Sequence, residues 1–259
     1  MSEKIKIVTF NLRCCYTEDG INSFVHRAGM ILDKINSEQP DVICAQEAVP
    51  AHVSFLKKNL SDYIVLYNGR NASFDGEGLA LIIKKDRINL VTLDLFWLSE
   101  TPYVPGSRYP IQSACPRICQ AALLQVNGTK TMFYVYNNHL DHKSDSARIL
   151  GIKQVLEKVK LDHERYSFPM FIVGDFNAKP NSETIRYCNE YKDIDLVNLT
   201  EGIGVTFHGF GDPNRYETID YIYTDRGTAP SVTSVTKWDD ELNGIFLSDH
   251  YPIAAEIEI

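Results

Sequence analysis

Apolar and polar positions alternate from Ile5 to Asn11, the period of a strand, and an exposed loop over Tyr16 to Gly20 separates it from a helical stripe through Phe24, Met30, Ile31 and Ile35. Pro40-Asp41 opens the apolar run Val42-Ile43-Cys44-Ala45, a buried strand that delivers Gln46 and Glu47 at its C-terminal end, and a second helix is predicted over Ala51 to Leu60. The chain therefore opens as βαβα. From Tyr63 to Val135 Gly, Pro and Asn punctuate a series of strands, predicted at 63–67, 79–84, 88–97, 119–126 and 131–139, with Asn127-Gly128 as the turn between the last two. The segment 98–118 holds Pro102, Pro105, Gly106, Pro110 and Pro116, is too broken for regular structure and is long enough to be a functional loop.

An amphipathic helix at about 143–162 carries Ile149, Ile152, Val155, Leu156 and Val159 on one stripe. Pro169 to Val173 is a second buried strand, Asn181-Ser182-Glu183 reads as the capped start of a short helix, and strands return at 218–223, 231–236 and 252–258. Each half pairs strands with helices. Two mostly antiparallel sheets packed face to face with helices outside both, an α+β arrangement of four layers, bury every apolar pattern. No repeat or linker interrupts it.

At 259 residues and 44% hydrophobic content the chain can bury one large core, and residues 1–259 read as a single domain. Lys and Arg number 26 against 34 Asp and Glu, a net charge of -8, which disfavours duplex DNA as a partner. An acidic chain that handles phosphate needs a bound cation among its carboxylates. The segment Met1 to Val8 lacks the apolar stretch of a secretory signal, and no run approaches the ~20 residues that span a bilayer, so a cytoplasmic location off the membrane is expected. The six cysteines show no CxxC spacing and are expected as reduced thiols. Nothing in the sequence speaks to oligomeric state.

Four short strings place polar ligands after apolar strand-like runs: Thr9-Phe10-Asn11, Gln46-Glu47, Gly174-Asp175-Phe176-Asn177 and Ser248-Asp249-His250-Tyr251-Pro252. Strand ends are where sheets of α/β proteins place their sites, and these groups suit one metal-dependent, phosphate-cleaving pocket. Glu47 is the first candidate metal ligand, with Asn11 and Asp249 beside it as hard oxygen donors for Mg2+ or Mn2+; the plainer roles are a helix cap for Glu47 and an Asx turn for Asn11. Asp175 and Asn177, two residues apart, share one side of the strand end if the chain stays extended. His250 has Asp249 beside it and Asp220 at another strand end. Arg117 starts a strand and reaches either phosphate, through its fork, or a surface salt bridge. Of the other histidines, His26, His52 and His163 are expected in solvated helices or loops, with His142 and His208 at the mouth.

Asn11, Gln46-Glu47, His139, Gly174-Asp175-Phe176-Asn177, Ile219-Asp220-Tyr221-Ile222 and Ser248 to Pro252 resemble, in order and kind, the endonuclease/exonuclease/phosphatase superfamily, a match that spans the whole chain. The resemblance implies a four-layer αββα sandwich and magnesium-dependent cleavage of phosphate esters by in-line water attack. It implies that Glu47 binds the ion, that Asp175 orients or deprotonates the attacking water, that Asn177 contacts the scissile phosphate, and that Asp220 pairs with His250, which acts as base or charge stabiliser. It further implies that His139 serves the leaving group, with Glu77 as its carboxylate partner, as in deoxyribonuclease I. Apurinic endonucleases carry tyrosine at the His139 position, which argues against that subgroup. The expectation is a phosphodiesterase or phosphatase for a small or single-stranded substrate. The alternatives are a nuclease acting on RNA or DNA, a noncatalytic binding module on the same fold, and a lipid phosphodiesterase whose leader was removed.

Overall fold

The structure, a computed structural model, describes residues 3–259; Met1 and Ser2, at the start of the segment read as leader-free, lie outside the described residues. In chain order the elements are β1 (Lys4–Asn11), α1 (Phe24–Glu38), β2 (Val42–Ala48), α2 (Pro50–Asn59), β3 (Tyr63–Gly69), β4 (Gly78–Lys84), β5 (Ile88–Trp97), β6 (Ile118–Val126) and β7 (Met132–His139). They continue with α3 (Asp145–Arg165), β8 (Met170–Asp175), α4 (Glu183–Asn189), β9 (Leu196–Asn198), β10 (Asp220–Asp225), β11 (Val232–Lys237), β12 (Glu241–Leu242), β13 (Ile245–Phe246) and β14 (Ile253–Glu258). Two six-stranded sheets result, one ordered β11-β14-β1-β2-β4-β3 and the other β5-β6-β7-β8-β10-β9. Each contains one parallel pair, β1 with β2 and β7 with β8, and is otherwise antiparallel.

Three apolar layers hold the sandwich together. Between the sheets Ile5, Ile7, Val42, Cys44, Leu81 and Ile83 face Leu124, Phe133, Val135, Phe171, Val173 and Ile222. Outside the first sheet, Ile31 and Ile35 of α1 and Val53 and Leu56 of α2 cover Val8, Phe10, Ile43 and Ile82. Outside the second, Ile152, Val155, Leu156 and Val159 of α3 and Ile185 of α4 cover Tyr136, Ile172 and Tyr223. Strands covered on both faces need apolar residues at odd and even positions alike, which is why β1, β2, β4 and β8 read as continuous hydrophobic runs. The Ser144 and Ser182 side chains cap α3 and α4 by accepting from the Ala147 and Ile185 N–H groups.

The sequence expectation holds for the layers and for the strands that fill them. It missed β9, β12 and β13, which are two or three residues long and too short to show a period. β2 ends at Ala48, so Gln46 and Glu47 stand at its C-terminal end as expected. No helix among the described residues is long and apolar enough to cross a membrane. All six cysteines are free thiols.

A polar link crosses the dry space between the sheets. Gln46 Nε2 of β2 donates to Asn137 Oδ1 of β7 at 2.9 Å, and Asn137 Nδ2 lies within hydrogen-bonding distance of the Ala45 and Ala80 carbonyls and of Gln120 Oε1 on β6. All three side chains are buried. Asn137→Ala strands these partners away from water and is expected to cost roughly 2–4 kcal/mol, read as a lowered urea midpoint at unchanged slope; an unchanged midpoint would show that the link carries no stability.

Candidate active site

Along each inner strand face, every second residue points into the space between the sheets, and at one end these positions change from apolar to polar. On β1 the series Ile5, Ile7, Thr9 ends at Asn11; on β2, Val42 and Cys44 lead to Gln46; on β7, Phe133 and Val135 lead to Asn137 and His139; on β8, Phe171 and Val173 lead to Asp175; on β10, Ile222 leads back to Asp220. Register then aligns the ends. His139 pairs with Asp175 across β7 and β8, and Asp220 pairs with Asp175 across β10 and β8, so the three stand in one row. Asn11 pairs with Gln46 in the opposite sheet. Gly174 lets β8 come this close to β7: its φ is +150°, and a Cβ there would lie 1.9 Å from the Asn138 carbonyl oxygen.

Glu47 reaches the cavity through a bulge. The register between β2 and β4 shifts between Ala45 and Ala48, and Glu47 has φ +54°, which turns its carboxylate out of the strand alternation. There Glu47 Oε2 accepts from the Cys14 N–H at 2.8 Å, and Oε1 accepts from Asn11 Nδ2 at 3.2 Å. The same Asn11 nitrogen donates to Asp175 Oδ2 at 3.0 Å and lies 3.3 Å from His250 Nε2. Asp220 Oδ2 is 2.9 Å from His250 Nδ1, which fixes the ring so that Nε2 faces the cavity. The Thr206 hydroxyl accepts from the Ile219 and Asp220 N–H groups and holds that strand end.

Burial and mutual repulsion set the charges. Burial, then Asp220, pushes the Asp175 carboxyl up to about 7. Burial alone would lower His250, but the Asp220 carboxylate and its hydrogen bond raise it to about 10. Burial and the Arg117 guanidinium drive His139 well below its ordinary value. Burial, then the charge of Glu47, raises Glu77, whose carboxylate is held by Arg70 and lies 3.7 Å from Arg117 Nη1 and 3.9 Å from His139 Nδ1. Burial also raises Asp249, with Arg13 Nε standing 3.7 Å away.

These groups line a cavity of about 420 Å³ that brings together Glu47, Glu77, Arg117, His139, His142, Asp175, Asn177, Asp249 and His250. Asp220 stands behind His250, and Asn11 lies beneath Glu47 and Asp175. A larger cavity of about 630 Å³ beside α4 and β9 is lined by none of them. Sequence expectations are corrected at four positions. Asn177 is not on an extended strand: β8 ends at Asp175, and Asn177 turns at φ +49° with its N–H on Asp175 Oδ1 and its amide on the Leu140 carbonyl, yet it still lines the cavity. His52 is fully buried against Phe24 rather than solvated, because it faces inward on α2. His208 is buried and stacked on Tyr251, not at the mouth. Arg117 is buried as well, so it is not a surface salt bridge; Nη2 meets His142 Nδ1 at 3.0 Å, while Nε and Nη1 have no hydrogen-bond partner.

Sequence reasoning missed Arg13, Arg70, Arg215, Phe207 and Glu217, which also line the cavity. They sit in loops or outside the short strings, and only Arg13, two residues past Asn11, carried a positional signal.

The donor set fits a hard divalent cation. Ligand atoms of Glu47, His139 and Asp175 lie within 4.8 Å of one another, as do those of Asp175, Asp220 and His250. Asp249 belongs to neither group and is turned toward Arg13 and Ser248. Crowded carboxylates held in a buried floor repel one another unless a cation lies among them. The Asn11 amide now directs Nδ2 at Glu47 and Asp175 while Oδ1 accepts from the Arg13 N–H at 3.0 Å; half a turn about the terminal torsion presents the oxygen instead.

The sequence profile of the Endonuclease/Exonuclease/phosphatase family matches residues 8–250. A solved conserved protein of Enterococcus faecalis V583 is 29% identical with a TM-score of 0.85, covering 98% of this chain and 100% of that one. The mannosyl-6-phosphatase Bt3783 of Bacteroides thetaiotaomicron VPI-5482 is 25% identical with a TM-score of 0.85 and the same coverage. Human tyrosyl-DNA phosphodiesterase 2 is 25% identical over 182 residues, 69% of this chain and 43% of the human protein, so the chain spans less than half of that relative.

Arg117 Nε and Nη1 make no hydrogen bond, and Nη1 stands 3.7 Å from the Glu77 carboxylate, so the guanidinium keeps donors available to an anion in the cavity. Arg117→Met is therefore expected to weaken calorimetric binding of inorganic phosphate in a chain that still folds. Phosphate binding as tight as wild type would contradict this reading of Arg117.

Proposed function

Because the chain belongs to the Endonuclease/Exonuclease/phosphatase family, whose members hydrolyse phosphoesters, we propose that it is a Mg2+-dependent phosphoesterase acting on a small or single-stranded substrate. The observation that carries this reading is the row His139, Asp175, Asp220 of one sheet facing Asn11 and Glu47 of the other, with His250 joining them.

Glu47 and Asn11, with Asp249 as a further carboxylate on the cavity wall, would hold Mg2+ or Mn2+, and the bound ion would supply positive charge against the nonbridging oxygens of the scissile phosphate. Asp175 orients and accepts a proton from the attacking water. Asp220 holds the His250 ring with Nε2 toward the phosphoryl oxygens, and Asn177 lines the same wall. His139, between Asp175 and Glu77, faces the leaving group. Arg117, with two donors unpaired, and Arg70 offer positive charge to the substrate's anionic end, against the -8 of the whole chain.

A cavity of about 420 Å³ suits a small molecule such as a sugar phosphate. The likeness to a mannosyl-6-phosphatase supports that choice. The likeness to tyrosyl-DNA phosphodiesterase 2 favours a second reading, a phosphodiester at a single-stranded nucleic-acid end. A panel of hexose phosphates, generic phosphodiesters, and short single- and double-stranded oligonucleotides, assayed with Mg2+, separates them. Sugar phosphates are expected to turn over and duplex DNA to remain intact; preferred cleavage of oligonucleotides would establish the second reading.

Chelation is expected to abolish turnover, with Mg2+ or Mn2+ restoring it. His250→Ala is expected to lower kcat about 10²–10⁴-fold while the chain still folds and still binds Mn2+. Activity that survives both chelator and Glu47→Gln would overturn the metal-dependent reading.

A further inference from the structure

Arg27 lies in the first turns of α1, on the stripe that faces the first sheet, and is fully buried. Its hydrogen bonds all go to backbone carbonyls. Nε donates to Asn22 O at 2.7 Å, Nη1 to Leu12 O at 3.1 Å and Leu247 O at 2.6 Å, and Nη2 to Arg13 O at 3.3 Å. Leu12 and Arg13 directly follow Asn11, and Leu247 stands two residues before Asp249. The guanidinium carbon also lies 5.8 Å from the Phe210 ring, in the turn whose His208 and Gly209 N–H groups donate to the Asp249 carbonyl at 2.9 and 3.1 Å. A second stitch runs beside the first: Asn22 Nδ2 donates to Gly244 O at 3.0 Å, and the Phe246 N–H donates to Asn22 Oδ1 at 2.9 Å.

One planar group thus ties the segment that carries Asn11 to the segment that carries Asp249. Arg27 is absent from the cavity wall, so it touches no reacting atom. An apolar side chain of similar length would fill the space but leave the three buried carbonyls of Leu12, Asn22 and Leu247 without this donor. A lysine presents its donors from a single point and cannot span acceptors on three segments at once.

We propose that Arg27 is a positioning residue that fixes the separation of Asn11 and Asp249 and thereby sets the affinity of the site for a divalent cation. This inference rests on the metal-dependent reading above. Groups that orient metal ligands from behind tune the affinity of a site, because they decide whether the ligands converge before an ion arrives.

The test is calorimetric titration of the full chain with MnCl2 and MgCl2, alongside kcat at saturating Mg2+. Arg27→Lys is expected to raise the dissociation constant about 10- to 100-fold, with kcat at saturation within a few-fold of wild type. Ile152→Ala, a cavity in the α3 layer on the opposite side of the sandwich, controls for loss of stability alone and is expected to leave the constant unchanged. If Arg27→Lys melts below the assay temperature, Asn22→Ala carries the test by cutting the adjoining stitch: weaker cation binding supports the proposal and unchanged binding overturns it. Arg27→Lys that folds and binds as tightly as wild type overturns it, leaving the functional reading intact. A wild-type chain that binds neither ion removes that reading and this inference together.

Discussion

Two contacts at the cavity floor join the sheets, and the site depends on both. Asn11 of β1 donates to Asp175 of β8, and Asp220 of β10 holds His250, which precedes β14. The partners in these contacts are 164 and 30 residues apart in sequence. They meet because two sheets bury one apolar face against each other and leave the same end of that face polar. Burial of Ile7, Val135, Val173 and Ile222 sets the depth at which the strands lie, and a one-residue slip in any of them would turn its terminal ligand toward the helices. The Gln46–Asn137–Gln120 link marks the boundary, since its amides satisfy one another just where the apolar packing stops.

Above that boundary the molecule accepts electrostatic strain. Glu47, Asp175 and Asp249 crowd a buried floor, burial raises the latter two, and Arg117 keeps donors unpaired behind His139. None of this helps folding. It is the arrangement expected where charge must be available to a ligand, with the cost carried by the three apolar layers. Arg27 belongs to the same plan from the other side. Its charge is fully committed to carbonyls, and it stiffens the loops on which the crowded groups ride.

Much of this was legible in the sequence. Strand parity alone carries Asn11, His139, Asp175 and Asp220 to one end of the inner faces, and the Asn127-Gly128 turn and the Ser182 cap of α4 stand where composition predicts them. What stayed hidden depends on backbone conformations that no period encodes. The bulge that aims Glu47 and the left-handed turn at Asn177 arise from local register and close packing, not from residue preference. His52 and Arg27 are each a polar residue on an inward helical stripe; polarity alone suggested solvent for His52, and Arg27 drew no reading. A charged residue in register with Ile31 and Ile35 was the available signal for Arg27, readable once helix phase is weighed above side-chain class. Arg215 offered no such signal, because it reaches the cavity from the long connection between β9 and β10.

The central claim is that separate strand ends converge on one divalent cation. Diffraction from crystals soaked in Mn2+, with the anomalous signal of the metal, tests it most directly. The account requires a peak at the cavity floor within coordination distance of a Glu47 carboxylate oxygen and the Asn11 amide oxygen. A crystal that takes up no ion there at saturating Mn2+, or that holds it away from Glu47, would contradict it.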